Sequence, residues 1–248
     1  MINASILILD FDGLLVDSAP ECWIRCKEAS KMDDSLDDIY DSNEKKYIFL
    51  KTRYLVGPAH EFYYLIKALQ KSSSTYEVEE KFYKLLNSNN TSAQRFKDFF
   101  FKSRLEAQEK NEKKWIESNN FFYPALSMAK RFAEVDRLYI ASMKDEESVL
   151  KLLIHHKIKC NKSKVLGRTY GDDKYNHVSH IISKYPLINK KYFLFMDDNL
   201  RHIKEVTSLG IESRLVTWGY ASNLSIKNAL KNNFKTIHLS DCSNVQFK

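Results

Sequence analysis

The strongest constraint on this chain lies near its start, where the apolar run Ile6-Leu7-Ile8-Leu9 gives way to Asp10-Phe11-Asp12-Gly13. A short unbroken apolar run of this kind reads as a strand buried on both faces. Such a strand excludes charge, because an unpaired buried carboxylate is costly. Two acids placed two residues apart at its exit therefore need a partner, and a divalent cation is the natural one. Gly13 permits a tight backbone path away from the strand.

The texture after Asp17 is different. To about residue 121 the chain is charged, aromatic and nearly free of Gly and Pro, with Gly57-Pro58 as its clear breaker. Helices are predicted near 20–31, 44–54, 59–71, 76–88 and 92–118. In the last, Phe96, Phe99, Phe100 and Leu105 form an apolar stripe at helical spacing, which reads as core packing. From Pro124, which suits the first turn of a helix, short apolar runs return and alternate with helical segments. Leu138-Tyr139-Ile140-Ala141 ends in Ser142, and Lys164-Val165-Leu166-Gly167 follows a helix at about 145–156. A helix at about 174–185 precedes Tyr192-Phe193-Leu194-Phe195-Met196, which ends in Asp197-Asp198. Arg214-Leu215-Val216 leads to Trp218-Gly219-Tyr220.

Strands alternating with helices predict an α/β fold, a Rossmann-like three-layer core around a parallel sheet. Such sheets bind ligands at the carboxyl ends of their strands. Asp10, Asp12, Ser142, Asp197 and Asp198 all fall just after strand ends, so residues distant in sequence are expected to converge on one crevice. The division expected is a core of residues 1–17 and 122–248 with an inserted all-helical cap of residues 18–121 lying over that crevice.

Bulk properties narrow the function. The chain has 248 residues, a hydrophobic fraction of 44% that suffices for a sizeable core, and 39 Lys+Arg against 32 Asp+Glu, a net charge of +7. The lysines are scattered and many alternate with acids, with no basic tail or nucleic-acid motif. The surface therefore reads as solvated and Lys-rich, and no nucleic-acid partner is expected. Cys22, Cys26, Cys160 and Cys242 show neither zinc nor secreted-disulfide spacing and read as reduced packing residues. No leader pattern and no apolar run near ~18 residues is present, so no membrane association is expected and the cytoplasm is the expected location.

The string Asp10-Phe11-Asp12-Gly13-Leu14-Leu15-Val16-Asp17-Ser18 resembles the first motif of the haloacid dehalogenase superfamily, specifically its phosphatase-like members with a helical cap after that motif. Ser142 matches the second motif, a hydroxyl residue ending a strand. Lys174, opening a helix, matches the third, with Arg168 as the alternative cation. Asp197-Asp198 matches the fourth. There are departures. Asp197 takes a position that is often Gly, His202 stands where a later acid is common, and Tyr175 follows Lys174 where Pro is frequent.

The resemblance implies a Mg2+-dependent phosphatase of a small phosphorylated metabolite, working through an aspartyl-phosphate. Asp10 would be the nucleophile and Asp12 the general acid and then base. Lys174 would neutralise charge on Asp10 and the phosphate. Ser142, with Gly13 and Met143, would bind the substrate phosphate. Asp10, Asp198 and the backbone carbonyl of Asp12 would hold the metal, with Asp197 a further candidate ligand. The metal answers a charge problem, since like charges at ~4 Å repel by on the order of 4 kcal/mol at an effective dielectric near 20. Oxygen ligands and phosphate chemistry favour Mg2+ over zinc. A calcium EF-hand does not fit, because Leu14-Leu15-Val16 occupies positions that need oxygen donors. Two alternatives stand beside the phosphatase: a phosphomutase that returns the phosphoryl group to a sugar, and a catalytically silent binding module on the same scaffold. Taken alone, Ser142 could equally be a helix N-cap and Lys174 a surface helix residue. His155-His156 and His177-His180 lack accompanying Cys or Glu and read as ordinary helix residues.

Overall fold

The computed structural model describes residues 2–37, 42–87, 91–171 and 173–248. The chain divides into two compact units, Met1–Asp17 with Phe121–Lys248, and Ser18–Asn120. The first unit opens with β1 (Ile2–Ala4), β2 (Ile6–Leu9) and β3 (Val16–Asp17). The second holds α1 (Ala19–Lys31), α2 (Asn43–Thr52), α3 (Glu61–Gln70), α4 (Thr75–Leu86) and α5 (Thr91–Glu117). After β4 (Asn120–Phe121) the first unit resumes with α6 (Tyr123–Glu134), β5 (Leu138–Ala141), α7 (Glu146–His155), β6 (Val165–Leu166) and α8 (Lys174–Ser183). It ends with β7 (Phe193–Asp197), α9 (Leu200–Thr207), β8 (Glu212–Val216), α10 (Asn223–Lys231), β9 (Lys235–Ile237) and β10 (Val245–Phe247).

The main sheet has six strands in the order β6-β5-β2-β7-β8-β9. Every neighbouring pair is parallel, with Leu9 facing Ile140 on one side and Met196 on the other. One face is packed by α8, α9 and α10 through Ile6, Ile8, Phe193, Phe195, Val178, Ile181, Ile203 and Ala229. Helices α6 and α7 pack against β2, β5 and β6. With both faces covered, β2 and β5 are apolar along their length and β7 is apolar up to Met196, and all three are buried at every residue. The α/β fold class with a parallel sheet is as expected. Strand order reverses at β2. The chain moves from β2 to β5 and β6, then returns to β7 on the other flank, and such a switch point opens a crevice at the strands' carboxyl ends.

Five elements of this unit carried no sequence expectation. They are β3, α10, the edge strand β9, and the strands β1 and β10, which pair in parallel with Ile2 facing Val245.

The helical unit has its own core of Trp23, Phe49, Phe62, Tyr63, Phe82, Phe96 and Phe100, with Phe62 stacked on Phe100 at 4.9 Å between ring centroids. Glu21 is buried on α1, yet all its needs are met. Arg104 of α5 donates to it through Nε at 3.0 Å and a terminal nitrogen at 2.8 Å, and Trp115 Nε1 donates at 3.2 Å. A buried carboxylate held by a two-pronged guanidinium ties α1 to α5 in one register. Two expectations for α5 need correction. The helix is broken at Asn111, whose φ of −162° and ψ of 86° are not helical. Asn111 Oδ1 accepts from Lys114 N at 3.0 Å, so the residue caps a second helical piece. Leu105 is exposed at 45%, and the buried face at that turn is supplied by Phe101 and Arg104 instead. The cysteines are all free thiols, and three of them are buried. Among the described residues no helix is long and apolar enough to cross a membrane.

Candidate active site

The crevice at the switch point gathers side chains from the ends of β2, β5 and β7. Asp10 follows β2, and its backbone N–H donates to Met196 O at 2.9 Å, which carries the β2–β7 pairing one residue past the strand. Its carboxyl Oδ1 accepts from Phe11 N and from Lys174 Nζ, each at 2.7 Å. Oδ2 accepts no hydrogen bond among the described residues. Lys174 is fully buried at the start of α8 and also reaches Asp197 Oδ2 at 3.2 Å and the carbonyl of Ala141. One ammonium thus links the ends of all three strands.

Local sequence explains how Lys174 is aimed. Asp173 caps α8, and its Oδ1 accepts from Tyr175 N at 2.7 Å. A proline at position 175 has no N–H to donate. The departure at Tyr175 therefore supplies the cap that starts the helix at Lys174. Of the two candidate cations, Lys174 is the one whose charged group meets Asp10. Arg168 lies in a 3-10 turn and its backbone N–H donates to Lys144 O at 3.3 Å.

Asp197 ends β7 fully buried, with Oδ1 accepting from Asn199 N at 2.8 Å and Oδ2 from His202 Nδ1 at 3.0 Å. The histidine that replaces an acid is therefore a donor to the first aspartate of the pair. Burial disfavours the ionised Asp197, but His202, Lys174 and these hydrogen bonds outweigh it and hold the carboxyl at about 2. Asp10 goes the other way. Burial first, and the Asp197 charge second, push it up to about 6 against the pull of Lys174 and His202. For Lys174, burial opposes the charge, and the two aspartates more than restore it, so its pKa is raised.

Asp198 Oδ2 accepts from Tyr220 N at 2.7 Å, which joins the loop after β7 to the loop after β8. Gly13, at φ +81°, lies against it: a Cβ built there would come within 2.0 Å of Asp198 Oδ2. The N–H of Gly13 donates to Val16 O at 2.7 Å and is spent inside its own loop. Gly13 therefore provides clearance for Asp198, rather than a donor for an anion. Gly219 approaches even closer, with a built Cβ 1.8 Å from the Gly13 carbonyl oxygen. Replacing Gly219 with Ala forces backbone apart and is expected to lower stability by about 3 kcal/mol. Urea unfolding of the variant beside wild type measures this.

Ser142 follows β5, buried, with its N–H on Leu166 O at 2.9 Å and its hydroxyl accepting from Lys144 N at 3.1 Å. The hydroxyl caps only that local turn, since the α7 N-cap is Asp145. Met143 is partly exposed, and its backbone N–H has no acceptor among the described residues. Asp12 accepts from Lys144 Nζ at 3.2 Å. Sequence reasoning missed Lys144. Its signal, a lysine two residues past a strand-end hydroxyl, is faint in a chain with 39 Lys+Arg.

The charges leave room for a cation. Asp10, Asp12, Asp197 and Asp198 converge here against two buried ammonium groups, Lys144 and Lys174. Asp10, Asp197 and His202 each offer a ligand atom, all within 4.8 Å of one another. The residues present fit a divalent ion, because fully ionised carboxylates exceed the lysines by two charges and Asp10 Oδ2 accepts from no donor among the described residues.

His177, one turn along α8 from Lys174, is a separate titrating group. Its Nε2 donates to Gly171 O at 3.0 Å, and its Nδ1 is buried without a partner among the described residues. Burial and then the Lys174 charge lower its pKa from 6.5 to about 4. Above pH 6.5 this group costs the fold nothing. As pH falls towards 4, the unfolded chain takes up a proton that the native histidine refuses, and stability drops by about 3 kcal/mol at most. Asp10 opposes this trend, since its raised pKa lets the native state bind a proton first between pH 6 and 3.8. The His177→Gln variant isolates the histidine: its stability relative to wild type, from urea unfolding, is expected to rise as pH is lowered from 8 to 4.5.

No family model and no curated protein matches the sequence. Solved structures do. A hydrolase of the haloacid dehalogenase-like family from Streptococcus pneumoniae aligns over 95% of this chain and 93% of its own, with a TM-score of 0.59 at 13% identity. The fold is that of the haloacid dehalogenase-like hydrolases. Two further solved structures are also similar. A predicted phosphatase from Clostridium acetobutylicum gives a TM-score of 0.64 at 16% identity, covering 96% of this chain and 95% of the other. A predicted phosphoglycolate phosphatase from Haemophilus somnus gives 0.62 at 17% identity, covering 97% of each. At these identities the likeness is one of fold, and the chemistry has to be argued from the residues above.

Proposed function

We propose that this chain is a divalent-cation-dependent phosphatase that hydrolyses a small phosphomonoester through an aspartyl-phosphate on Asp10. The observation that carries the reading is Asp10 itself. It is a buried carboxylate with one oxygen fixed by Lys174 and Phe11 N and the other without a donor among the described residues, at the switch point of a parallel sheet. The names of the similar structures, hydrolase and phosphatase, support the same class.

Asp10 Oδ2 attacks phosphorus, and the bond from phosphorus to the leaving oxygen breaks. Asp12 gives that oxygen its proton, so the alcohol departs neutral. Asp12, now ionised, takes a proton from water. The water oxygen attacks the phosphorus of the aspartyl-phosphate, releasing inorganic phosphate and restoring Asp10. Lys174 holds Asp10 in its attacking orientation and offsets its charge. Ser142 Oγ and the N–H of Met143 bind the phosphoryl oxygens, where charge stabilisation is the main catalytic task.

Asp10 and Asp198, with the backbone carbonyl of Asp12, would hold the cation, and Mg2+ suits this oxygen-only set. The ion, when bound, lowers the repulsion between the Asp10 carboxylate and the phosphate. Asp197 already has Oδ2 committed to His202 and Lys174, so its part is to orient those two groups.

The test is phosphate release from an aryl phosphate and a panel of phosphorylated metabolites, with EDTA and with Mg2+ or Mn2+. Release that requires the cation is expected for at least one of these compounds. No release from any of them with either ion overturns the reading.

A further inference from the structure

We propose that Lys144 is a positioning residue that fixes the orientation of the Asp12 carboxyl for proton transfer to the leaving oxygen. The inference rests on the phosphatase reading and assigns a part to a residue outside the motifs.

Asp12 sits where the chain has left the sheet. Its neighbour Gly13 has a positive φ, and the Phe11 carbonyl accepts the N–H groups of Leu15 and Val16 at 2.9 and 3.1 Å. These bonds set the backbone of the turn and leave the direction of the Asp12 side chain to its own contacts. A short side chain on a turn has three staggered χ1 wells, and a proton donor must come within hydrogen-bond reach of one particular oxygen. Lys144 reaches this carboxyl from the loop after the adjacent strand β5, with Nζ 3.2 Å from Asp12 Oδ1.

The anchor is rigid at both ends. At the backbone, Lys144 N donates to Ser142 Oγ at 3.1 Å, and Lys144 O accepts from Arg168 N at 3.3 Å. A Cβ built at Gly167 would lie 2.6 Å from that same carbonyl, so the loop after β6 presses against it. At the other end, the lysine side chain is fully buried while Asp12 keeps 17% of its own exposure. A surface lysine samples many rotamers, whereas this one is enclosed along its length and delivers its charge to one place. Burying an ammonium is costly unless it is paired, and Asp12 is the only carboxylate within ion-pair distance of Lys144 among the described residues.

The division of labour that follows is symmetrical. Lys174 fixes the attacking carboxylate and Lys144 fixes the proton-transferring one. The first comes from the start of α8 and the second from the loop after β5. The two lysines therefore set the angle between Asp10 and Asp12, which a regular strand would have aimed the same way.

The test uses Lys144→Met and Lys144→Gln with a series of aryl and alkyl monophosphates of graded leaving-group acidity. A good leaving group needs no proton, so a fault in Asp12 placement is felt only on poor ones. Lys144→Met is expected to lose about 100-fold in kcat on the poorest leaving group and less than about threefold on the best. In an Asp12→Asn background, adding Lys144→Met is expected to cost less than about threefold on every substrate. Equal loss across the series, or full additivity with Asp12→Asn, overturns the proposal, because damage to the fold at large gives both. Crystal structures of the two Lys144 variants supply a readout that needs no turnover. Asp12 in a new or split side-chain orientation supports the proposal, and Asp12 unmoved in both overturns it. Should wild type release no phosphate from any of the series, the phosphatase reading fails, while the Asp12 orientation still decides whether Lys144 sets it.

Discussion

Replacing Asp10 with Asn is expected to lower cation-dependent phosphate release by about 10,000-fold or more, the scale on which removal of an essential nucleophile acts. The substitution keeps shape and removes little else. The amide introduced by Asp10→Asn can still accept from Phe11 N and Lys174 through its carbonyl oxygen. The carboxylate oxygen that forms the bond to phosphorus is replaced by an amide nitrogen, which cannot serve. Because Asp10 is pushed up to about 6 by burial and the Asp197 charge, its neutral replacement is expected to fold at least as well as wild type in the absence of cation. Loss of turnover with an unchanged or raised unfolding midpoint in EDTA is the expected pair of results. Turnover that survives the substitution assigns the nucleophile elsewhere. Isothermal titration of Mg2+ is a further check, as the variant is expected to lose the greater part of its cation affinity.

Replacing Lys174 with Met is expected to cost about 3 to 5 kcal/mol of stability, among the largest single effects available in this molecule. The ammonium is fully buried and is shared by Asp10, Asp197 and the Ala141 carbonyl. Removing it leaves two adjacent buried carboxylates with only His202 and backbone N–H groups to hold them. The loss is expected to depend on pH with a definite sign. At pH 8 both carboxylates are ionised and repel. As pH falls towards 5, Asp10 takes up a proton in the folded state, and the difference between variant and wild type shrinks. Urea unfolding in EDTA at pH 8, 6.5 and 5 measures the trend. A destabilisation that grows as pH falls overturns this account of Lys174. Added Mg2+ is expected to recover part of the loss, since it supplies positive charge to the same carboxylates.

The strand-end parts of this site share one physical signature, a polar or charged side chain appearing where an apolar run stops. Asp10, Ser142 and Asp197-Asp198 end the apolar runs Ile6–Leu9, Leu138–Ala141 and Phe193–Met196, which are buried because helices cover both faces. Lys174 was picked out only by the family resemblance, since taken alone a lysine opening a helix reads as a surface residue. Lys144 carried no comparable mark, because it lies in the loop after β5 and the Gly167–Arg168 segment that meets its backbone carbonyl is more than twenty residues further along the chain. The same holds for β1 and β10, which are three residues each and pair across almost the whole chain. Edge strand β9 buries only one residue fully, so it shows neither alternation nor a run. The break at Asn111 was hidden for a different reason. Asn is tolerated inside a helix at modest cost, and its capping role shows only when the backbone turns out of line.

The contact of Gly219 with Gly13 has a consequence for how the protein is made. β2 is synthesised well before its two neighbours in the sheet, β5 and β7, and Gly219, which packs against Gly13 beside Asp198, follows later still. Pairings this distant along the chain are slow to form, and they expose strand edges while they wait. The helical unit, whose residues are contiguous from Ser18 to Asn120, carries no such delay. A nascent chain is thus expected to hold a folded helical unit before any of the acidic loops has a mate. The chemistry would switch on only after the last loop arrives, so that an incomplete chain carries four carboxylates and no working centre.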